Sequence, residues 1–216
     1  MDNLNRRLGL NPESLLTAVF LAAAVLALPA GCRNSGNRDN DTSPDADEVD
    51  LGIPDRAWAP GHDDVGWCGE TCIQMAIAYY GHELPQEDIN RAAGSPPDIT
   101  EVDMDRALNA LGVTFEAWDE SRRDVTAFIE WIKEHLDNGH PVICGTKIYP
   151  DENPDWYVDH FVLAVGFDPD GMLVNTQLDC DGPQWIEYEQ LASLDEGHSF
   201  QNDELRHFGR AIFGTP

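Results

Sequence analysis

Apolar and polar positions along this chain repeat with two periods, and the helical period comes first. Cys72, Met75, Ala76, Tyr79 and Tyr80 recur at helical spacing, predicting a helix over 69–80 that is apolar almost all round and therefore central and buried. Pro85 opens a short helix over 86–93, closed by Gly94. Thr100 with Asp103 three residues on is a variant of the capping box and starts a helix over 101–111 that stops at Gly112. Val125, Phe128, Ile129, Ile132 and Leu136 fall on one face of an amphipathic helix over 124–136. Strand-like stretches follow at 113–118, 142–148, 159–167, 172–177, 185–188 and 208–213, with a short helix over 189–194. Asp168-Pro169-Asp170-Gly171 joins two of these strands as a tight hairpin. Helices first and strands last predict an α+β fold with a mostly antiparallel sheet.

The N-terminus reads differently. Arg6 and Arg7 precede an apolar run over 15–28 that is short for a membrane span, and Leu28-Pro29-Ala30-Gly31-Cys32 follows. This marks 1–32 as an export signal. It resembles the lipobox of bacterial lipoproteins, with Pro29 where that family prefers leucine; the resemblance implies lipidation of Cys32 and a membrane anchor on the periplasmic or cell-surface side. Residues 33–50 are Asn, Asp, Ser, Gly, Arg and Pro with almost nothing apolar, too little to offset ordering entropy, and are expected to be a disordered tether. The folded domain is expected over 51–216, opening with loop-like residues punctuated by Pro54, Pro60 and Gly61.

Charge narrows the function classes. Thirteen Lys and Arg stand against 40 Asp and Glu, for a net charge of −27, and only Lys133 and Lys147 are lysines. Residues 1–31 carry as many acidic as basic residues, so removing them leaves the balance unchanged. Such a surface cannot replace counterions along a phosphate backbone, which excludes nucleic acid as a partner. Acidity serves solubility, and a cleft drawing in cationic peptides is the sharper alternative.

The candidate chemistry begins at Gly66-Trp67-Cys68-Gly69, which sets a thiol at the mouth of the first long helix. Unpaired N–H groups and the positive end of the dipole favour thiolate there. Asp159-His160-Phe161-Val162-Leu163-Ala164-Val165-Gly166 puts a histidine at the head of an apolar strand, and Leu173-Val174-Asn175 offers an amide on the next. Cysteine, histidine and asparagine in this order make a nucleophile, its general base and an orienter. Cys72 is the rival thiol, one turn deeper and expected in the core or in a disulfide. Asp159 is the fallback orienter on charge alone. Cys68, Cys72, Cys144 and Cys180 allow one bridge if one thiol stays free. A zinc site at Cys68 and Cys72 lacks further ligands, so no metal is expected.

Cys68-Gly69-Glu70-Thr71-Cys72-Ile73-Gln74-Met75-Ala76-Ile77-Ala78-Tyr79-Tyr80-Gly81 resembles the nucleophile helix of papain-like bacterial peptidases, above all the bacteriocin-leader (double-glycine) processing peptidases and their stand-alone relatives. The resemblance runs on through Gly139-His140-Pro141-Val142-Ile143 and His160–Gly166 to Leu173-Val174-Asn175. It implies a papain-like fold, cleavage of peptide bonds, and Cys68, His160 and Asn175 as the catalytic set. The leader-processing relatives carry Asp-Pro near the last position and papain carries asparagine; a shift of one residue would bring Thr176 there. Where relatives supply a glutamine to the oxyanion, His62 and Asp63 stand here, leaving His62 as the candidate donor.

The function expected is therefore that of an exported cysteine peptidase, monomeric and cofactor-free, acting on peptides or proteins through an acyl-thioester and touching the membrane only through its lipid anchor. A papain-like domain that binds peptides without cutting them is the alternative from another class. Transglutaminase-like amide transfer is the alternative within the same chemistry.

Overall fold

The protein is described here by a computed structural model covering residues 48–59, 66–148, 157–178 and 182–215. The export segment, Cys32, nearly all of the expected tether, His62 and Cys180 lie outside those residues. The elements run β1 (Val49–Asp50), α1 (Cys68–Tyr79), α2 (Gln86–Ala92), α3 (Glu101–Ala110), β2 (Thr114–Ala117) and α4 (Val125–Asp137). They continue with β3 (Val142–Thr146), β4 (His160–Phe167), β5 (Gly171–Asn175), β6 (Gln184–Glu187), α5 (Tyr188–Leu191) and β7 (Gly209–Gly214). The seven strands form one sheet in the order β2-β7-β3-β4-β5-β6, with β1 added against β4. Every pairing is antiparallel. This is the α+β arrangement the residue pattern predicts.

Local chemistry accounts for most boundaries. Thr100 and Asp103 make the reciprocal capping box at the start of α3. Asp124 caps α4 by accepting from the N–H groups of Thr126 at 2.9 Å and Ala127 at 3.2 Å. In the β4–β5 hairpin the Asp168 carboxylate accepts from the N–H groups of Asp170 at 2.7 Å and Gly171 at 3.2 Å.

Three elements differ from expectation. The expected short helix is the four-residue α5, set one residue earlier. Strand β3 ends at Thr146, and Lys147 forms an isolated bridge with Ser199. The third difference is a correction: Val49 and Asp50, read as tether, pair with Phe167 and Gly166 and extend the sheet. Glycine at 166 makes this possible, since a side chain there would collide with the Val49 carbonyl. A lone two-residue strand leaves no periodic signal, so the partner glycine was the only trace of it.

The sheet is packed on both faces. One cluster joins Cys72, Ile73, Met75 and Ile77 of α1 with Ile89, Met104 and Leu108 of α2 and α3, and with Ile143, Phe161, Leu163, Val165 and Ile212 of the strands. The other sets Phe128, Ile129, Ile132 and Leu136 of α4 against Val142, Cys144, Val162, Ala164, Met172 and Ala211. Alternation along β3 and β4 sends successive side chains to opposite clusters. No helix among the described residues is long and apolar enough to cross a membrane.

Candidate active site

Helix α1 brings Cys68 to the sheet at the head of β4. Gly69 makes the approach possible: a Cβ there would sit 2.9 Å from the Ile99 side chain, which packs over the first turn. The Trp67 indole donates to the Pro97 carbonyl at 3.0 Å and ties the same loop to the helix entry. The Cys68 thiol lies against the N–H of Phe161, the residue after His160, at the head of β4.

The electrostatics depart from the helix-dipole expectation. Burial pushes the Cys68 thiol up to about 12, against the pull of the Phe161 and Gly69 N–H groups. The carboxylates of Glu70 and Asp98 push the same way. Burial likewise takes His160 down to about 4; the Thr176 carbonyl and Asp159 oppose this, and His198 adds to it. The ordinary positions are 9.0 for the thiol and 6.5 for the imidazole. Each charged form is therefore disfavoured, and both groups rest neutral.

His160 is 4 % exposed, and its Nε2 lies 2.8 Å from the Thr176 carbonyl oxygen. A carbonyl only accepts, so Nε2 carries a proton and the lone pair of the neutral ring is on Nδ1. That is the tautomer a base needs. Trp58 lies beside the ring, with centroids 6.5 Å apart.

The structure thus sets the Cys68 thiol against the main chain next to His160 and gives Asn175 different work. Its Nδ2 donates to the Ile53 carbonyl at 3.0 Å and faces the Met75 sulfur at 3.4 Å. Its Oδ1 is buried with no hydrogen-bond partner among the described residues. Adjacent strand positions face opposite ways, and the acceptor for His160 comes from Thr176, through its main chain and not its side chain. Asp159 accepts from the Ile148 N–H at 2.7 Å and sits close enough to raise His160. Cys72 is fully buried and takes the Gln177 amide at 3.3 Å. Cys68, Cys72 and Cys144 are unbridged. Among the described residues no cluster of three or more His, Cys, Asp or Glu could hold a metal.

Comparison with known proteins places this geometry. The profile of the Peptidase_C39 like family matches residues 51–193. The chain belongs to that family. No curated protein matches it. Among solved structures, a protein from Bacillus anthracis described as a C39-like peptidase is 12 % identical, covering 78 % of this chain and 99 % of its own, with a TM-score of 0.55. The peptidase domain of Streptococcus ComA, a bi-functional ABC transporter of a quorum-sensing pathway, is 14 % identical, covering 74 % and 96 %, with a TM-score of 0.51. At these identities the likeness is one of fold, and that fold is the papain-like α+β architecture.

Within this C39-like chain, residues 51–59 carry contributors that the sequence reading passed over. They are strapped to the helices by Arg56, which pairs with Glu83 at 2.7 and 2.8 Å, and by Gln86, which bonds Ala59 at 2.7 Å and Ala57 at 3.0 Å. Asp55 and Trp58 reach the site from this strap. Their neighbours Pro54 and Pro60 marked the stretch as loop, and a lone Asp or Trp in a loop carries no periodicity.

Proposed function

We propose that this chain is an exported cysteine peptidase in which Cys68 attacks a peptide carbonyl and His160 handles the proton. The observation that carries this reading is the Cys68 thiol lying against the N–H of Phe161, the residue that follows His160, whose ring proton is held on Nε2 by the Thr176 carbonyl. The thiol proton passes to Nδ1 as the sulfur–carbon bond forms, and the imidazolium returns a proton to the leaving amine as the C–N bond breaks. Water then attacks the acyl-thioester with the neutral imidazole as base, releasing the carboxylate and restoring the thiol. No cofactor enters these steps. Membership of a peptidase family supports hydrolysis, and a peptide or protein is the substrate.

One observation favours a second reading, a domain that holds peptides without cutting them. The Cys68 N–H, the main-chain donor a developing oxyanion would use, is bonded to the Gly66 carbonyl at 2.7 Å. Catalysis requires that bond to open, or a donor from His62, which lies outside the described residues.

Incubation with a diverse peptide library, with cleavage read by mass spectrometry, separates the two. Wild-type protein generates new termini and the Cys68→Ala variant does not. Retention of uncleaved peptides by both proteins would support the binder instead. Export and the Cys32 anchor rest on the N-terminal pattern alone, and a Cys32→Ser variant that remains in the membrane fraction would contradict the anchor.

A further inference from the structure

We propose that Asp55 is a positioning residue for the His160 base, acting through the peptide group between Thr176 and Gln177. The proposal rests on the nucleophile reading of Cys68 and His160 given above, and goes beyond it by naming a carboxylate that no direct contact with the imidazole reveals.

The geometry is a three-part relay. The Thr176–Gln177 peptide is trans, as no cis bond occurs among the described residues, so its C=O and N–H point in opposite directions. The oxygen accepts from His160 Nε2 at 2.8 Å. The N–H of the same peptide donates to Asp55 Oδ2 at 3.2 Å. Carboxylate, peptide and imidazole therefore stand in sequence, and a negative charge on the far side polarises the carbonyl that faces the ring. Polarised this way, the oxygen holds Nε2–H more firmly and stabilises the imidazolium that forms when the thiol gives up its proton.

Several features hold the relay in place. Gln177 has φ of +60°, the left-handed region that a non-glycine residue enters at a steric cost. The turn swings its N–H towards Asp55 just as β5 ends. The Gln177 side chain is itself tied down, donating to the Asn175 carbonyl at 3.1 Å and facing Cys72 Sγ at 3.3 Å. The other Asp55 oxygen accepts from the Arg56 N–H at 2.9 Å. Asn175 closes the arrangement from the sheet side, its amide on the Ile53 carbonyl pinning the strap two residues before Asp55. This gives the buried Asn175 a purpose in the site although it does not touch the imidazole. Burial raises the Asp55 carboxyl, while the N–H groups of Gln177, Arg56 and Thr176 hold it down. Strain at a non-glycine residue, beside a half-buried carboxylate and a buried histidine, is the kind of feature found where a site must be held in one geometry.

The test is the pH dependence of Cys68 alkylation by iodoacetamide, read by mass spectrometry in wild type, Asp55→Asn and Gln177→Gly. The other charged groups facing the pair, Asp159 and His198 at the imidazole and Glu70 and Asp98 at the thiol, are common to all three proteins. Asparagine keeps an acceptor for the N–H but removes the charge, so the onset of labelling moves to higher pH and the rate at pH 7 falls by roughly tenfold, the scale of partners acting one hydrogen bond away. Gln177→Gly keeps the N–H and the Asp55 charge but loses the side-chain ties, so its onset shifts less than that of Asp55→Asn. A purely structural role for Asp55 would change the labelled fraction or expose Cys72 without moving the midpoint. Should the Asn variant not fold, Glu and Gln at position 55 make the same charge comparison at equal length. Superimposable Asn and wild-type profiles, or an onset that shifts equally in Gln177→Gly, would overturn the relay. If wild-type labelling is no faster than in His160→Ala, the nucleophile reading fails first; if it is faster and Asp55→Asn matches it, only the relay fails.

Discussion

The two faces of the sheet are packed from different materials. Beneath α4 the contacts are aromatic: Phe128 meets Trp118 at 5.3 Å, Phe200 at 5.4 Å and Trp131 at 6.0 Å between ring centroids. Beneath α1 the filling is mostly aliphatic, with one aromatic pair, Phe161 and Phe208 at 5.3 Å, and buried polar groups are threaded through it. Glu70 takes the Asn90 amide at 2.7 Å, and Asn175 bonds the strap. Desolvated polar groups oppose stability unless fully partnered. Glu70 Oε2 and Asn175 Oδ1 have no partner among the described residues. The α4 face has unpartnered polar atoms too, Trp118 Nε1 and His207 Nε2, among the described residues. The α4 face carries the aromatic platform and the α1 face carries Cys68.

Breaking the comparison should therefore give effects of different kinds. Cys68→Ala removes the nucleophile: turnover of any peptide that wild type cleaves falls by about 10⁴-fold or more, while the thermal midpoint moves little. Phe128→Ala opens a cavity in the aromatic platform and costs about 3–5 kcal/mol in chemical denaturation, yet the fraction still folded keeps the Cys68 labelling of wild type.

Acid should weaken the fold through the site's imidazole. His160 stays neutral in the folded chain down to about pH 4, whereas an unfolded histidine protonates near 6.5. The unfolded state thus binds more protons between those values, and stability falls as pH drops through that window, by about 3 kcal/mol for this residue. His198 and His207 are lowered too and act in the same direction. Glu70 and Asp55 are raised and oppose them. Denaturant titrations at stepped pH check the sign, and His160→Gln flattens the slope. The smallest effect belongs to a cap: Asp124→Ala costs about 1 kcal/mol on the platform side and leaves the site unchanged.

Legibility followed the same division. Helix α4, its cap at Asp124 and its buried stripe were plain in the periodicity, and the capping box of α3 was plain from two residues. Cys68 and His160 stood out because a thiol at a helix mouth and a histidine heading an apolar strand are placed by their elements. The expected orienter, Asn175, does not bond the imidazole, for a physical reason. A main-chain carbonyl accepts as well as a side-chain amide, and every residue has one, so Thr176 was named for its side chain and not for its carbonyl. Asn175 carried the expected side chain but faces the other way along the strand. Asp55 lies more than a hundred residues from the histidine it serves, and only tertiary structure brings it near.

The central claim is that Cys68 and His160 work as a pair, and alkylation of the folded protein at pH 7 tests it most directly. With limiting iodoacetamide and peptide mapping, Cys68 should be modified ahead of buried Cys72 and Cys144, and His160→Ala should slow that reaction by about 10²-fold, the lower end of general-base effects. Labelling that falls first on Cys72, or a Cys68 rate unchanged in His160→Ala, would contradict the account.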